Sequence, residues 1–279
     1  MSDLKPGMTH DLLMQAITHG QLSVVQWLCE HGADLRADHD SALHQACHLG
    51  HLEIVEWLCD HGANLHTYSS RPIRMACRGG HLPIIQWLHA RGIDLNAHRG
   101  AAIQAACGAG QLELAQWLHQ HGVDLHAERD HAFCLACAHG HLSVAQWLHS
   151  LGAEYRAYGD LAFRWACVSD QLEVAQWLHS LGVDPNRCHS YVFRIACEFG
   201  LLEMAQWLHR VGANIHAEDD RAIYCACGNG HVHVIRWLLT LDYPDHLIAW
   251  LVHGPTSWDP QVHDLLYLHA ESRNGQLDV

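Results

Sequence analysis

The chain predicts an all-α fold, a solenoid of stacked helix pairs, and two observations carry that prediction. Tryptophan recurs every thirty residues, at Trp27, Trp57, Trp87, Trp117, Trp147, Trp177, Trp207 and Trp237, in a Gln-Trp-Leu or similar triplet. One supersecondary unit is therefore copied along the chain. Within each copy the apolar spacing is helical rather than alternating.

The copy at 126–155 shows the pattern. Phe133, Ala136 and Cys137 share a helical face, with Asp130 placed to cap that helix and Gly140 to end it. Leu142, Val144, Ala145, Trp147 and Leu148 form a second apolar arc, too wide for a lone surface helix, which Gly152 terminates. Helices of roughly ten residues are marginal alone in water, so each pair must bury its arc against the next copy.

The ends differ from the middle as terminal caps should. Residues 1–10 are polar, and the segment from Leu12 to Gly20 carries Ala16-Ile17 where the other copies carry Ala-Cys. Beyond Trp237 the period fails. Asp245 to His253 reads as a first helix, and Asp259-Pro260 starts a second one running from Gln261 to Ala270, with 271–279 frayed. The expected organisation is a capping repeat at 1–37, seven regular thirty-residue copies at 38–240, and a degenerate closing pair with its tail at 241–279.

Gly50-His-Leu-Glu-Ile-Val55 and His61-Gly-Ala-Asn-Leu-His66, with Ala46-Cys47 before them, resemble the ankyrin repeat over about residues 9–240. The resemblance departs from the family in two ways: its Thr-Pro-Leu-His is absent, and the loop before the first helix is about three residues short of the usual period. Short copies such as that containing Ala162-Phe163-Arg164, with their second-helix Trp, look like the arrays of giant DNA viruses of amoebae. The resemblance implies an ankyrin-type helix-turn-helix solenoid with shortened inter-repeat loops and reduced hairpin fingers. It also implies a non-catalytic interaction scaffold that binds a protein on its concave face, a viral or host-directed adaptor on the viral likeness. A metal-binding or enzymatic protein that uses the array as a frame is the alternative.

Composition bears on that choice. The formal net charge of -14 argues against nucleic acid and anionic membranes as partners. No run approaches the roughly eighteen apolar residues of a membrane span, and Met1 to His10 lacks the core of a signal peptide. Seven of the 12 cysteines, from Cys47 to Cys227, fall in one core column whose members lie too far apart to bridge, the pattern of a reducing cytosol or nucleus, the host's if the protein is viral. Lys5 is the single lysine, through codon bias or ubiquitin avoidance. A monomer without a cofactor is expected.

The columns that line the concave face in ankyrin arrays hold Arg71, Arg74, Arg78, Arg99, Arg129, Arg164 and Arg194, together with Tyr68, Tyr158, Trp165, Tyr191, Phe199 and Tyr224. Arginine beside tyrosine or tryptophan is the composition of interface anchors, and it favours an acidic partner surface. The plainer reading is that Arg74, Arg164 and Arg194 answer Ser70, Asp160 and Ser190 as repeated intrahelical pairs.

Histidine invites a metal reading. His131, Cys134, Cys137 and His139 lie close in sequence, yet Cys137 belongs to the core column, so no metal site is expected. His89, His119, His149, His179 and His209 should lie partly buried between second helices. Neither a phosphate loop nor a nucleophile elbow is present, and a repeated residue is a poor catalytic candidate. Leu88, Asp94 and Leu95 before Asn96 match the spacing of hydroxylated ankyrin asparagines, which makes Asn96 the candidate modification residue; a loop asparagine bonded to the adjacent turn is the other reading.

Overall fold

The computed structural model describes residues 6–65, 71–154, 157–187, 191–241, 243–253, 255 and 258–274, with the backbone alone at 6–8, 157–159 and 274. The chain forms two compact units, Met1–Ala157 and Tyr158–Val279. Every regular element among the described residues is a helix.

The first unit contains α1 (Pro6–Thr18), α2 (Leu22–Glu30), α3 (Ala37–Leu49), α4 (Leu52–Asp60), α5 (Arg71–Gly79), α6 (Leu82–Ala90), α7 (Ala97–Gly108), α8 (Leu112–Gln120), α9 (Ala127–Ala138) and α10 (Leu142–Ser150). The second contains α11 (Ala157–Val168), α12 (Leu172–Ser180), α13 (Tyr191–Glu198), α14 (Leu202–Arg210), α15 (Ala217–Gly228), α16 (Val232–Leu238), α17 (Asp245–Val252) and α18 (Pro260–Asn274). Odd helices stack on odd helices, from α1 to α9 in the first unit and α13 on α15 in the second; α2, α4 and α6 stack likewise. This is the helix-turn-helix solenoid that the period predicts.

The core follows the repeated columns. Cys47, Cys77, Cys107, Cys137, Cys167, Cys197 and Cys227 are at most 1% exposed. Burial pushes each thiol upward, that of Cys107 to about 12, so the column behaves as a stack of small apolar side chains.

The shortened loop has a specific geometry that the sequence does not announce. α3, α7, α9 and α15 each open with three residues wound left-handed: Asp38, His39, Asp40; His98, Arg99, Gly100; Glu128, Arg129, Asp130; and Glu218, Asp219, Asp220. A projecting hairpin is thereby reduced to one tight turn. Residues of this handedness strain the backbone unless something holds them. Where the third residue is an aspartate, it does the holding. Asp130, 6% exposed, accepts Glu154 N–H at 3.1 Å and meets His126 Nδ1 at 2.6 Å, while Asp40 accepts Asn64 N–H at 3.3 Å. Asp130 is therefore not the helix cap expected of it: at φ 62° its carboxylate turns to the following loop and to His126.

At the N-terminal end α1 starts at Pro6, within the polar stretch 1–10. The C-terminal end is longer than expected. α18 runs from Pro260 to Asn274, past the expected fraying at 271, because Arg273 Nη1 donates to Asp245 Oδ1 at 2.6 Å and to Tyr243 O at 2.9 Å. Asp259 starts that helix as expected, its Oδ1 accepting Gln261 N–H at 2.8 Å.

Candidate functional site

A groove of about 1120 Å³ lies in the first unit, across α5, α7 and α9. One wall is basic. Arg71, Arg74 and Arg78 stand at i, i+3 and i+7 of α5 and so share one face. His98 and Arg99 join them from the left-handed turn that opens α7. The other wall is Leu135 of α9 and His139, the residue that follows that helix.

The floor is α7, and its shape follows from small residues. At the groove-facing positions α7 carries Ala101, Gln104, Ala105, Gly108 and Ala109, where α11 carries Leu161, Arg164, Trp165, Val168 and Ser169 in the same columns. Truncating one copy between two fuller ones leaves a trough about one helix wide. Sequence reasoning missed it, although comparing the copies column by column carries the signal.

Among the described residues no carboxylate lines the groove. Glu128 lies outside the lining and meets Arg99 Nη1 at 2.9 Å, a pair with the Arg99 side chain 79% exposed. Among the described residues, Arg71, Arg74 and Arg78 form no ion pair, and the buried Nε of Arg74 has no acceptor. The Nε atoms of Arg164 and Arg194 in the same column are buried and without a hydrogen bond likewise, so that atom marks the repeat, and it is the absence of an ion pair on the trio that marks the groove. His44 of α3, which packs on α5, is pushed down to about 4 chiefly by burial, with Arg71 and then Arg74 adding to it and Asp40 opposing.

The other expected contact residues divide. Arg129 is exposed on the turn opening α9 and does not line the groove. Tyr68 and Ser70 lie outside the described residues, as do Ser190 and the side chain of Tyr158. In the second unit the intrahelical pair of Asp160 with Arg164 does not form: Asp160, at φ 62°, faces Arg187 Nε at 3.6 Å. Arg194 is held by Glu198 at 2.7 Å and Glu218 at 3.4 Å and lies over the Tyr191 ring at 5.0 Å. Its charge is answered within the fold. Trp165 is half-buried, and Phe199 is 57% exposed. Tyr224 packs on Trp250 at 5.8 Å and on Trp258 at 5.6 Å, the latter two being residues that the repeat pattern did not single out.

Cys134 is buried, its thiol pushed up to about 11 chiefly by that burial, and His139 turns Nδ1 to Leu135 O at 2.9 Å. Among the described residues no three His, Cys, Asp or Glu side chains are grouped to hold a metal ion. Of the second-helix histidines, His149, His179 and His209 are half-buried as expected, and the other two lie further out. His89 and His119 are exposed, and each sets its ring edge-on against the next copy's tryptophan, His89 on Trp117 at 6.2 Å and His119 on Trp147 at 6.1 Å. Asn96 donates Nδ2–H to Gly122 O at 3.2 Å and accepts Asp124 N–H at 2.9 Å, so both ends of its amide bond the following loop.

A family model of ankyrin repeats (3 copies) matches residues 13–99 and again 102–188. No curated protein matches the chain. No helix among the described residues is long and apolar enough to cross a membrane.

Proposed function

The chain belongs to the ankyrin repeat family, whose arrays are generally protein-interaction modules rather than catalysts, and on that premise we propose that the groove of the first unit binds an acidic segment of a protein partner. The observation that carries this reading is the trio Arg71, Arg74 and Arg78 on one face of α5, without a counter-charge among the described residues. Guanidinium forks match carboxylates in geometry and in charge. A trough about one helix wide suits an extended strand of polypeptide, whose side chains would lie against Met75, Leu135 and the alanines of α7. The exposed aromatic side chains of the second unit, Phe199 and Tyr224 with Trp250, are proposed as apolar anchors of a contact made by that unit alone. A reducing compartment is the matching location, supported by the seven buried thiols of the core column.

The test is fluorescence anisotropy with a dye-labelled peptide rich in glutamate. Binding is expected to weaken by at least about tenfold on replacing Arg71, Arg74 and Arg78 together with Glu, the circular dichroism staying helical. Unchanged affinity in that variant would move the site off the groove.

A further inference from the structure

We infer that the groove reads a phosphate monoester, so that the segment it takes is a phosphorylated one. This rests on the reading above and narrows it.

Count and geometry carry the argument. A carboxylate has two oxygens and one charge, which a single guanidinium fork satisfies. Three arginines one turn apart on α5 exceed that need, and their like charges repel one another along the helix. A phosphomonoester brings three terminal oxygens and a charge of about -1.5 to -2. Its oxygens offer acceptors to more than one of the three arginines that line the groove. Arg74 is the middle member of the trio, and all three line the groove. Arg99 lines the same groove from its left-handed turn, its pairing with Glu128 exposed and so readily exchanged.

The floor adds a second requirement. A phosphoserine side chain is short, so the peptide backbone must approach α5 closely. Ala101, Ala105, Gly108 and Ala109 make the room. At the column of Ala105 the chain places Trp165 in α11, so a large residue is compatible with this repeat. Ala105→Trp would therefore fill the trough without touching a charge.

Three immobilised peptide libraries with randomised flanks test the inference, their fixed centre being phosphoserine, a Glu-Glu pair or serine. Capture of the protein on the phosphoserine library is expected to exceed that on the Glu-Glu library by at least about tenfold. It should fall to the serine level with Arg71→Gln/Arg74→Gln/Arg78→Gln and, separately, with Ala105→Trp. Free O-phosphoserine in excess should release the wild-type protein, a readout that needs no variant to fold. Equal capture on phosphoserine and Glu-Glu overturns the phosphate inference and leaves the acidic-segment reading standing. Capture on neither sinks both. Phosphoserine capture that survives both variants puts the anion elsewhere and overturns the inference.

Discussion

His44 shows at the scale of one residue how the basic wall reaches into the fold. It is 4% exposed, and its surroundings hold it neutral: burial contributes most, then Arg71, with Asp40 opposing and Arg74 adding a smaller push. Its folded value of about 4 lies below the ordinary 6.5, so the unfolded chain takes up the proton first as pH falls. The associated stability is complete above about 6.5, drains between there and about 4, and does not change further below. A loss of roughly 1–2 kcal/mol is expected across that window, the full linkage value being discounted for solvent screening. Carboxylates titrate over the lower part of the same range, so the decisive measurement is the His44 ring itself by NMR. Its pKa should rise in Arg71→Gln and rise by less in Arg74→Gln. The reverse order, or no change in either, contradicts the placement of these arginines.

At the scale of the element, consecutive repeats are latched by one histidine ring. His81, just before α6, brings Nε2 to His48 O at 2.8 Å, and the ring covers Gly50 so closely that an added Cβ would lie 2.5 Å from it. Gly50 has φ +86°, and Gly62, in the loop after α4, has φ +101° with open space about it. Gly62→Ala should therefore cost the backbone strain alone, about 1–2 kcal/mol. Gly50→Ala must also push His81 off its carbonyl, adding roughly 1 kcal/mol. Urea midpoints of the two variants compare the terms, and equal losses would mean that the ring slips aside freely. His141 on Gly108 O at 3.2 Å and His231 on Glu198 O at 2.8 Å repeat the latch. The sequence makes such elements legible because repetition amplifies them: the tryptophan period, the Ala-Cys column and the glycine turns each appear many times. The left-handed turn is hidden for the opposite reason. An aspartate at the start of a helix ordinarily means a cap, and only the bond from Glu154 N–H to Asp130 shows the other use. The groove is half legible. Its arginines stand out as charges, whereas its floor is made by what Ala101, Ala105, Gly108 and Ala109 lack, and missing side chains leave no motif.

For the molecule as a whole, the groove is a basic site on an acidic protein, and the two fields act over different distances. The formal net charge of -14 repels an acidic partner from afar, while Arg71, Arg74 and Arg78 attract it once it is close. Salt separates the two. The screening length is about 30 Å at 0.01 M ionic strength and about 10 Å at 0.1 M. Raising the salt over that interval removes the long-range repulsion but leaves most of the attraction inside the groove, where approaching charges are only a few ångströms apart. Further salt then screens the groove too. The association rate of a glutamate-rich or phosphorylated peptide is therefore expected to rise severalfold from about 0.01 to 0.1 M, pass through a maximum, and fall towards 1 M. An ordinary steered complex shows only the fall. Stopped-flow traces at constant peptide concentration across that range decide it. A rate that falls monotonically would show that the partner feels the arginines at every distance, and that the negative charge lies away from its path of approach.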